Sequence, residues 1–266
     1  MSKRVMLHEF TRPAFEEYLE EEPNPVAIIA VGSIEQHGPH LPLGTDSLCA
    51  AEVARRVAEK TNSVAVLPAW PGYSPHHMGF AGTITFRWET LLNVILDTVD
   101  SLVAHGIKKI LLLNAHGGNS DIVAHAARTA RDKGGVVVLA PKPSSGPEGA
   151  RKMMESLDAH SGPGETGVAL ALFEELVEME RVEGFEPTAA LPPQVEALRD
   201  PEGADLELRL QLVTSYIGKT HEFTSSGVYG FADPNDADPA QGQARVEEWV
   251  NQLVKLIQYW KTVDLP

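Results

Sequence analysis

The chain has 266 residues, 43% of them apolar, which is enough for one large α/β domain or two small ones with a sizeable core. Its 37 acidic residues outnumber its 22 basic ones, and the net charge of -15 argues against nucleic acid and anionic membrane surfaces as partners. No apolar run approaches the ~18 residues of a membrane span, and the N-terminus lacks the apolar segment of a signal peptide. We therefore expect a cytoplasmic protein.

Strand-like and helix-like segments alternate along the chain. Apolar runs predict strands at 26–32, 64–67, 109–114 and 136–140, with a further strand at 212–216. Amphipathic periodicity predicts helices at 11–22, 46–60, 87–105, 121–133, 168–180 and 238–260. Such alternation with short connections is typical of a parallel sheet covered by helices on both faces. Because there is no internal repeat or long linker, we expect one domain over residues 1–266.

The loop from Val31 to Asp46, VGSIEQHGPHLPLGTD, carries four side chains that can bind metal: Glu35, His37, His40 and Asp46. Glu35 and His37 are two residues apart, so an extended backbone sends both side chains to the same side. This set of carboxylates and imidazoles suits zinc, manganese or iron. The alternative is a polar loop in which Asp46 only caps the next helix.

Two later segments also carry metal-binding residue types near strand ends. His116 follows the third strand directly, and His160 and Glu165 lie in the segment DAHSGPGETG. Sites in open parallel sheets form where the loops at the carboxyl ends of the strands meet. We therefore expect these residues to converge with the first loop and to supply enough ligands for two metal ions. The adjacent Gly117 and Gly118 would allow a ligand to approach closely.

The glycines after His116 permit a second interpretation. Backbone N–H groups at the start of a helix bind anions, so NAHGGNS would serve as a phosphate cradle in a nucleotide- or flavin-binding module. The segment lacks the lysine of a P-loop and the GxGxxG spacing. We keep phosphate binding as the alternative to metal-dependent hydrolysis.

Four motifs, in the same order, resemble the creatininase (creatinine amidohydrolase) family: EQHGPHLPLGTD, GYSPHHMGFAGTIT, NAHGGN and HSGPGET. The similarity lies between residues 26 and 180. It implies a three-layer α/β fold with a mostly parallel central sheet and two divalent ions of zinc, manganese or iron per subunit. It also implies hydrolysis of a non-peptide C–N bond in a small amide, and a homo-oligomer, often a hexamer.

The resemblance also implies roles for single residues. The implied metal ligands are Glu35, His37, Asp46 and His116. Asp46 would bridge the two ions. Glu165 matches a glutamate that acts as ligand or as acid/base group, and His160 matches a histidine that shuttles protons.

One position departs from the pattern of creatininase proper, which has a glutamate two residues after the histidine of the third motif. Gly118 stands there in this chain, as glycine does in many relatives, including deformylases and peptide-processing members. The metal centre is therefore expected, whereas creatinine itself is less favoured as the substrate. Ser161 and Pro163 also replace the usual residues of the last motif, which would alter the pocket wall.

The loop at 70–86 is long and rich in aromatic residues, so we expect it to wall a substrate pocket. The predicted substrate contacts are Tyr73, Ser74, His77, Gly117 and Gly118. His77 is favoured over His76, because His77 aligns with the histidine that recurs in the family.

These observations predict a metal-dependent amidohydrolase for a cyclic amide, formamide or related small molecule. Metal-activated water would attack the amide carbonyl, and His160 or Glu165 would return the proton to the leaving nitrogen. Three alternatives remain: creatinine hydrolysis proper, a phosphate- or nucleotide-binding module, and a catalytically silent family member.

Overall fold

The structure is a computed structural model that describes residues 4–134, 136–141, 158–185 and 218–263. Four strands, β1 (Val26–Val31), β2 (Val64–Val66), β3 (Lys109–Asn114) and β4 (Val137–Leu139), form a parallel sheet in the order β2-β1-β3-β4. The α-helices of the described ranges are α1 (Arg12–Glu21), α2 (Thr45–Thr61), α3 (Trp88–Ala104), α4 (Ser120–Asp132), α5 (Pro163–Phe173) and α6 (Pro239–Lys261).

Helices cover both faces of the sheet. Ile29 and Leu112 belong to one core with apolar residues of α1, α3 and α4, whereas Ile28 and Leu111 belong to a second core with those of α2 and α6. Neighbouring residues of a strand point to opposite faces, so a continuous apolar run can fill two cores at once. The predicted three-layer α/β fold with a parallel sheet is confirmed.

The register of the two central strands determines where the following loops begin. Val31 at the end of β1 is paired with Asn114 at the end of β3. The loops that leave these strands therefore start side by side at the carboxyl edge of the sheet, where sites form in open α/β proteins.

The helix after the first loop has Gly44 as its N-cap, which places Asp46 inside the first turn of α2. The alternative interpretation, in which Asp46 is the cap of this helix, is therefore wrong.

Helix α5 differs from its predicted range of 168–180. It begins at Pro163, because proline is compatible with the first turn of a helix, and Glu165 therefore lies in that first turn. It ends at Phe173, whose φ of -154° and ψ of 54° lie outside the helical region, and a short 3₁₀ turn follows at Glu174–Leu176. The strand predicted at 212–216 lies outside the described residues.

None of the helices in the described ranges is long and apolar enough to cross a membrane. The single domain over 1–266 stays a prediction.

Candidate metal centre

A buried cluster of carboxylates and imidazoles lies at the carboxyl ends of β1 and β3. The loop after β1 supplies Glu35 and His37, the first turn of α2 supplies Asp46, and the loop after β3 supplies His116. Glu35 is 1% exposed and His37 is fully buried. A carboxylate at this depth requires a counter-charge, because burial strongly disfavours an unpaired charge.

Asp46 lies between the two histidines of the cluster. Its Oδ1 is 3.3 Å from Nε2 of His37, and its Oδ2 is 3.0 Å from Nδ1 of His116. On the other side of His116, Nε2 is 3.3 Å from Oε2 of Glu35. One carboxylate therefore faces two imidazoles from different loops, which is the placement that a ligand shared by two cations requires.

Three overlapping groups of residues bring their ligand atoms within 4.8 Å of one another: Glu35–Asp46–His116, His37–Asp46–Glu165 and Glu35–His37–His160. The first two groups share Asp46 and use every expected ligand. Together they could hold two cations.

Backbone carbonyls orient His37 and His116 within the cluster. Nδ1 of His37 donates to the carbonyl oxygen of Glu35 at 3.1 Å, which leaves Nε2 facing Asp46. Nε2 of His116 lies 3.1 Å from the carbonyl oxygen of Tyr73, which leaves Nδ1 facing Asp46. A carbonyl only accepts hydrogen bonds, so each contact leaves the other ring nitrogen as the atom that could bind a metal.

Two buried atoms show that the cluster fits a cation. Within the described part of the chain, Nε2 of His37 and Oδ2 of Asp46 are buried, and the groups they face are ionisable partners in the cluster. Without protons on the imidazoles, these atoms would lack the partner that buried polar atoms almost always have. An imidazole nitrogen and a carboxylate oxygen so placed are suitable ligands for a divalent transition metal.

The cluster is also balanced electrostatically when it holds no cation. Burial alone would lower the pKa of His37, but Asp46, Glu165 and Glu35 together outweigh it and raise the pKa to about 9. Burial opposes protonation of His116 as well, yet Glu35 and Asp46 raise its pKa well above the usual value. Protons on these two imidazoles would therefore balance the carboxylates, and a metal ion would displace them.

His160 faces the same cluster from the segment before α5. Its Nε2 donates to the carbonyl oxygen of Gln36 at 2.7 Å, so Nδ1 faces the cluster. That Nδ1 lies 3.9 Å from Oε1 of Glu35 and 3.9 Å from Oε2 of Glu165. Burial and the neighbouring His37 lower the pKa of His160, which favours the neutral ring. Oε2 of Glu165 accepts a hydrogen bond from the backbone N–H of Ser161 at 2.6 Å.

The predicted substrate contacts occupy different positions. Ser74 is buried and its hydroxyl donates a short hydrogen bond to Oε2 of Glu35. The ring of Tyr73 packs edge-on against Trp88 at a centroid distance of 5.9 Å, so Tyr73 reaches the site through its carbonyl oxygen. Nε2 of His77 lies 3.3 Å from Oε1 of Glu35.

The two predicted contact glycines also differ. Gly118 lies directly against His116, with no room for a side chain between them. Gly117 faces open space among the described residues.

Several residues around the cluster were not predicted from the sequence. Thr220 and Gly227 belong to the segment 218–230, which contacts His77 and Gln36, respectively. No periodicity or motif marks that segment. Gln36 lies between two expected ligands in the first motif, which is a signal that could have identified it. His76 is half-buried with its ring parallel to that of His116 at 5.9 Å, rather than exposed.

His40 belongs to the first loop, but it does not join the ligand groups found among the described residues. Its Nε2 lies 2.8 Å from the hydroxyl of Thr166 in α5. His40 therefore connects the first loop to the helix that carries Glu165.

The three-layer α/β fold places this buried cluster at the carboxyl edge of the sheet. The class of protein that this arrangement indicates is one that could bind divalent cations there. The family model Creatininase, described as creatinine amidohydrolase, matches residues 8–257. The chain belongs to the creatininase family and is an amidohydrolase-type enzyme. The match also extends well beyond the motifs at 26–180.

Two characterised relatives and one solved structure illustrate the similarity. The mycofactocin precursor peptide peptidase of Mycolicibacterium smegmatis is 30% identical over 89% of this chain and 86% of its own. The creatinine amidohydrolase of Pseudomonas putida is 30% identical over 73% of this chain and 81% of its own. A structure named "Creatininase Mn" superposes with a TM-score of 0.72 at 24% identity, covering 97% of this chain and 98% of that one.

Proposed function

We propose that this protein hydrolyses a non-peptide C–N bond in a small amide, using water activated by two divalent cations. The observation that carries this proposal is the position of Asp46, whose two oxygens face two separate imidazoles. The two ligand groups that share Asp46 support a dinuclear centre. Family membership favours hydrolysis over the phosphate-binding alternative.

The chain offers three ligand residues for each of two cations. Glu35, Asp46 and His116 would hold one cation, while His37, Asp46 and Glu165 would hold the other. When bound, the two cations would polarise an amide carbonyl and lower the pKa of a bound water towards neutrality. The nitrogen and oxygen donors suit manganese, zinc or iron. Similar solved structures are named for manganese and for zinc, so both metals are candidates.

His160 is placed to move the proton that the reaction requires. Its Nδ1 faces the cluster while its Nε2 is fixed on the carbonyl oxygen of Gln36. Since burial and His37 lower its pKa, the ring is neutral near pH 7 and Nδ1 can accept a proton. It can then donate that proton to the leaving nitrogen, because an amine does not leave as an anion.

Gly118 favours a substrate other than creatinine. Creatininase proper carries a glutamate at this position, and Gly118 offers no side-chain ligand there. The second ligand group consists of His37, Asp46 and Glu165 from α5. A second candidate is a peptide amide. The peptidase relative supports this candidate, because it is 30% identical over 89% of this chain. Creatinine hydrolysis proper remains the third candidate.

A hydrolysis screen would test the proposed function. Cyclic amides including creatinine, formamides, ureas and short peptides would be incubated with the manganese and zinc forms, and released amine would be measured. Chelator-treated protein and the variant Asp46→Asn serve as controls. We expect release by the metal-loaded wild type only. Release that survives both controls, or no release from any compound in the panel, would contradict the proposal. The expected homo-oligomer stays a prediction that light scattering would test.

A further inference from the structure

Four histidines surround the carboxylates, and one of them is held differently from the other three. His37, His116 and His160 each direct one ring nitrogen at a backbone carbonyl oxygen. Each of these rings can therefore offer its other nitrogen to the site as a lone pair. His77 has no such carbonyl contact within the described part of the chain. Its Nδ1 lies 2.9 Å from the amide nitrogen of Gln36.

The side-chain amide of Gln36 has a single favourable orientation. Its Oε1 accepts from the backbone N–H of Gly38 at 3.0 Å, and its Nε2 donates to the carbonyl oxygen of Gly227 at 3.1 Å. A flipped amide would place N–H against N–H and oxygen against oxygen at these two contacts. The nitrogen therefore faces His77, and an amide nitrogen can only donate.

The tautomer of His77 follows from this orientation. Nδ1 must accept the hydrogen bond from Gln36, so the ring proton is on Nε2. That nitrogen lies 3.3 Å from Oε1 of Glu35. We propose that Gln36 is a positioning residue that fixes His77 as an N–H donor directed at Glu35, and that His77 is therefore not a metal ligand.

This role would complete the support of the Glu35 carboxylate. Oε2 of Glu35 accepts from the hydroxyl of Ser74, and Oε1 faces the proton of His77. Groups that orient metal ligands in this way typically change metal affinity by about 10–100-fold when they are removed. The inference rests on the proposed function only in treating Glu35 as a ligand. The tautomer itself follows from contacts within the chain.

The hydroxyl of Thr220 offers a matched control. Its Oγ1 lies 3.1 Å from the same Nδ1 of His77, but a hydroxyl can both donate and accept, so it does not select a tautomer. Replacing Thr220 by Val should leave the proton of His77 on Nε2. Replacing Gln36 by Glu presents a group that only accepts, which should draw a proton onto Nδ1. Gln36→Leu removes the donor without adding charge and should give a mixture of tautomers.

Nitrogen NMR of histidine-labelled protein would measure this directly. Spectra of the zinc-loaded full chain would be recorded for wild type, Gln36→Glu, Gln36→Leu and Thr220→Val, with the His77 signal assigned from its loss in His77→Gln. We expect Nε2–H in wild type and Thr220→Val, a protonated Nδ1 in Gln36→Glu, and both tautomers in Gln36→Leu. A protonated Nδ1 in wild type, or an unchanged tautomer in both Gln36 variants, would overturn the proposal. Gln36→Leu alone decides the matter if Gln36→Glu does not fold.

Zinc affinity, measured by competition with a chelator, provides a readout independent of turnover. We expect a loss of roughly 10–100-fold for the Gln36 variants and near wild-type affinity for Thr220→Val. Equal affinity in all four proteins would contradict the role assigned to Gln36. If His77 carries its proton on Nε2 but the protein hydrolyses no amide, the proposed function is contradicted while the role of Gln36 stands.

Discussion

A β-carbon added to Gly118 would lie 2.5 Å from Nε2 of His116, which is closer than a real β-carbon comes to a heavy atom that is not in its own residue or a chain neighbour. The same atom would lie 2.5 Å from the carbonyl oxygen of Tyr73, which faces Nε2 of His116. The position of the His116 ring therefore depends on glycine at 118. A glutamate at this position, as in creatininase proper, would displace His116 on the present backbone.

Replacing Gly118 by Ala should therefore disturb the metal centre, whereas replacing Gly117 by Ala should not. Overpacking at Gly118 should cost about 1–3 kcal/mol of unfolding free energy and should reduce metal content, because His116 must move. At Gly117 the new β-carbon would meet nothing within 4 Å among the described residues. Urea denaturation and metal analysis of both variants check this. Equal stability and equal metal content of the two variants would contradict the close contact between Gly118 and His116.

Asp46→Asn should remove both cations at once. The amide keeps the size of the carboxylate but loses the negative charge that faces both His37 and His116. We expect metal content to fall towards zero and turnover to fall more than the ~10–100-fold typical of a residue that only orients a ligand. Asp121→Asn, on the exposed side of α4, is the matched control and should retain both properties. A variant that lost one cation and kept the other would show that Asp46 is not shared.

Metal affinity should rise with pH. In the cation-free protein the pKa of His37 is about 9, so below that pH its Nε2 carries a proton that a metal must displace. Binding that releases one proton strengthens about tenfold per pH unit, and His116 adds to this because its pKa is also raised. The contribution of His37 to this increase should level off once the pH passes the pKa of His37. Calorimetry in buffers with different ionisation heats measures the released protons. Binding heats that do not depend on the buffer would refute the claim that His37 and His116 carry protons before the metal binds.

His160→Gln should separate proton transfer from metal binding. The loss of a positioned acid/base group lowers kcat by roughly 10²–10⁴-fold, while metal content should stay at the wild-type level. His125→Gln is a suitable control, because His125 is exposed on α4. Loss of one equivalent of metal from His160→Gln would instead assign His160 to the ligand group that it forms with Glu35 and His37.

Lys109→Met should destabilise the fold at a distance from the metal centre. Lys109 is 3% exposed, and its Nζ donates to the carbonyl oxygens of Trp260 at 2.9 Å and Val263 at 2.6 Å. Methionine fills similar volume but removes the Nζ donor from both carbonyls, of which that of Trp260 still accepts from the backbone N–H of Val263. The loss should cost about 1–3 kcal/mol. Lys133→Met breaks only an exposed pair with Asp100 and should change stability by less than ~0.5 kcal/mol. Thermal denaturation with unchanged metal content would confirm this difference.

The fold was largely predictable, because its strands carry a strong local signal. The run at 109–114 is buried on both faces, so its predicted bounds match those of β3. The start of α5 was missed because Gly162, Pro163 and Gly164 suggested a loop, although proline is well suited to the first turn of a helix. Helix ends depend on a few torsion angles, which periodicity does not report.

The candidate site was predictable as a set of residues but not as a network. The motifs brought Glu35, His37, Asp46 and His116 into consideration, and the structure places them together. The contacts of Gln36 with Gly227 and of His77 with Thr220 could not be predicted, because hydrogen bonds between distant segments leave no local pattern. The side chain of Tyr73 shows the converse, since its aromatic ring suggested a substrate contact but packs against Trp88 instead.

The hydrogen bond between Gln36 and Gly227 joins residues 191 positions apart, and Tyr229 pairs its backbone with that of His160 close by. During synthesis on the ribosome, the sheet and the first motif emerge long before these partners do. A nascent chain that ends before residue 227 can contain every carboxylate and imidazole of the cluster. It still lacks Gly227, which binds the side chain of Gln36, and Tyr229, which pairs with the backbone of His160. The contacts that hold Gln36 and His160 can therefore form only after the segment that contains Gly227 and Tyr229 has been synthesised.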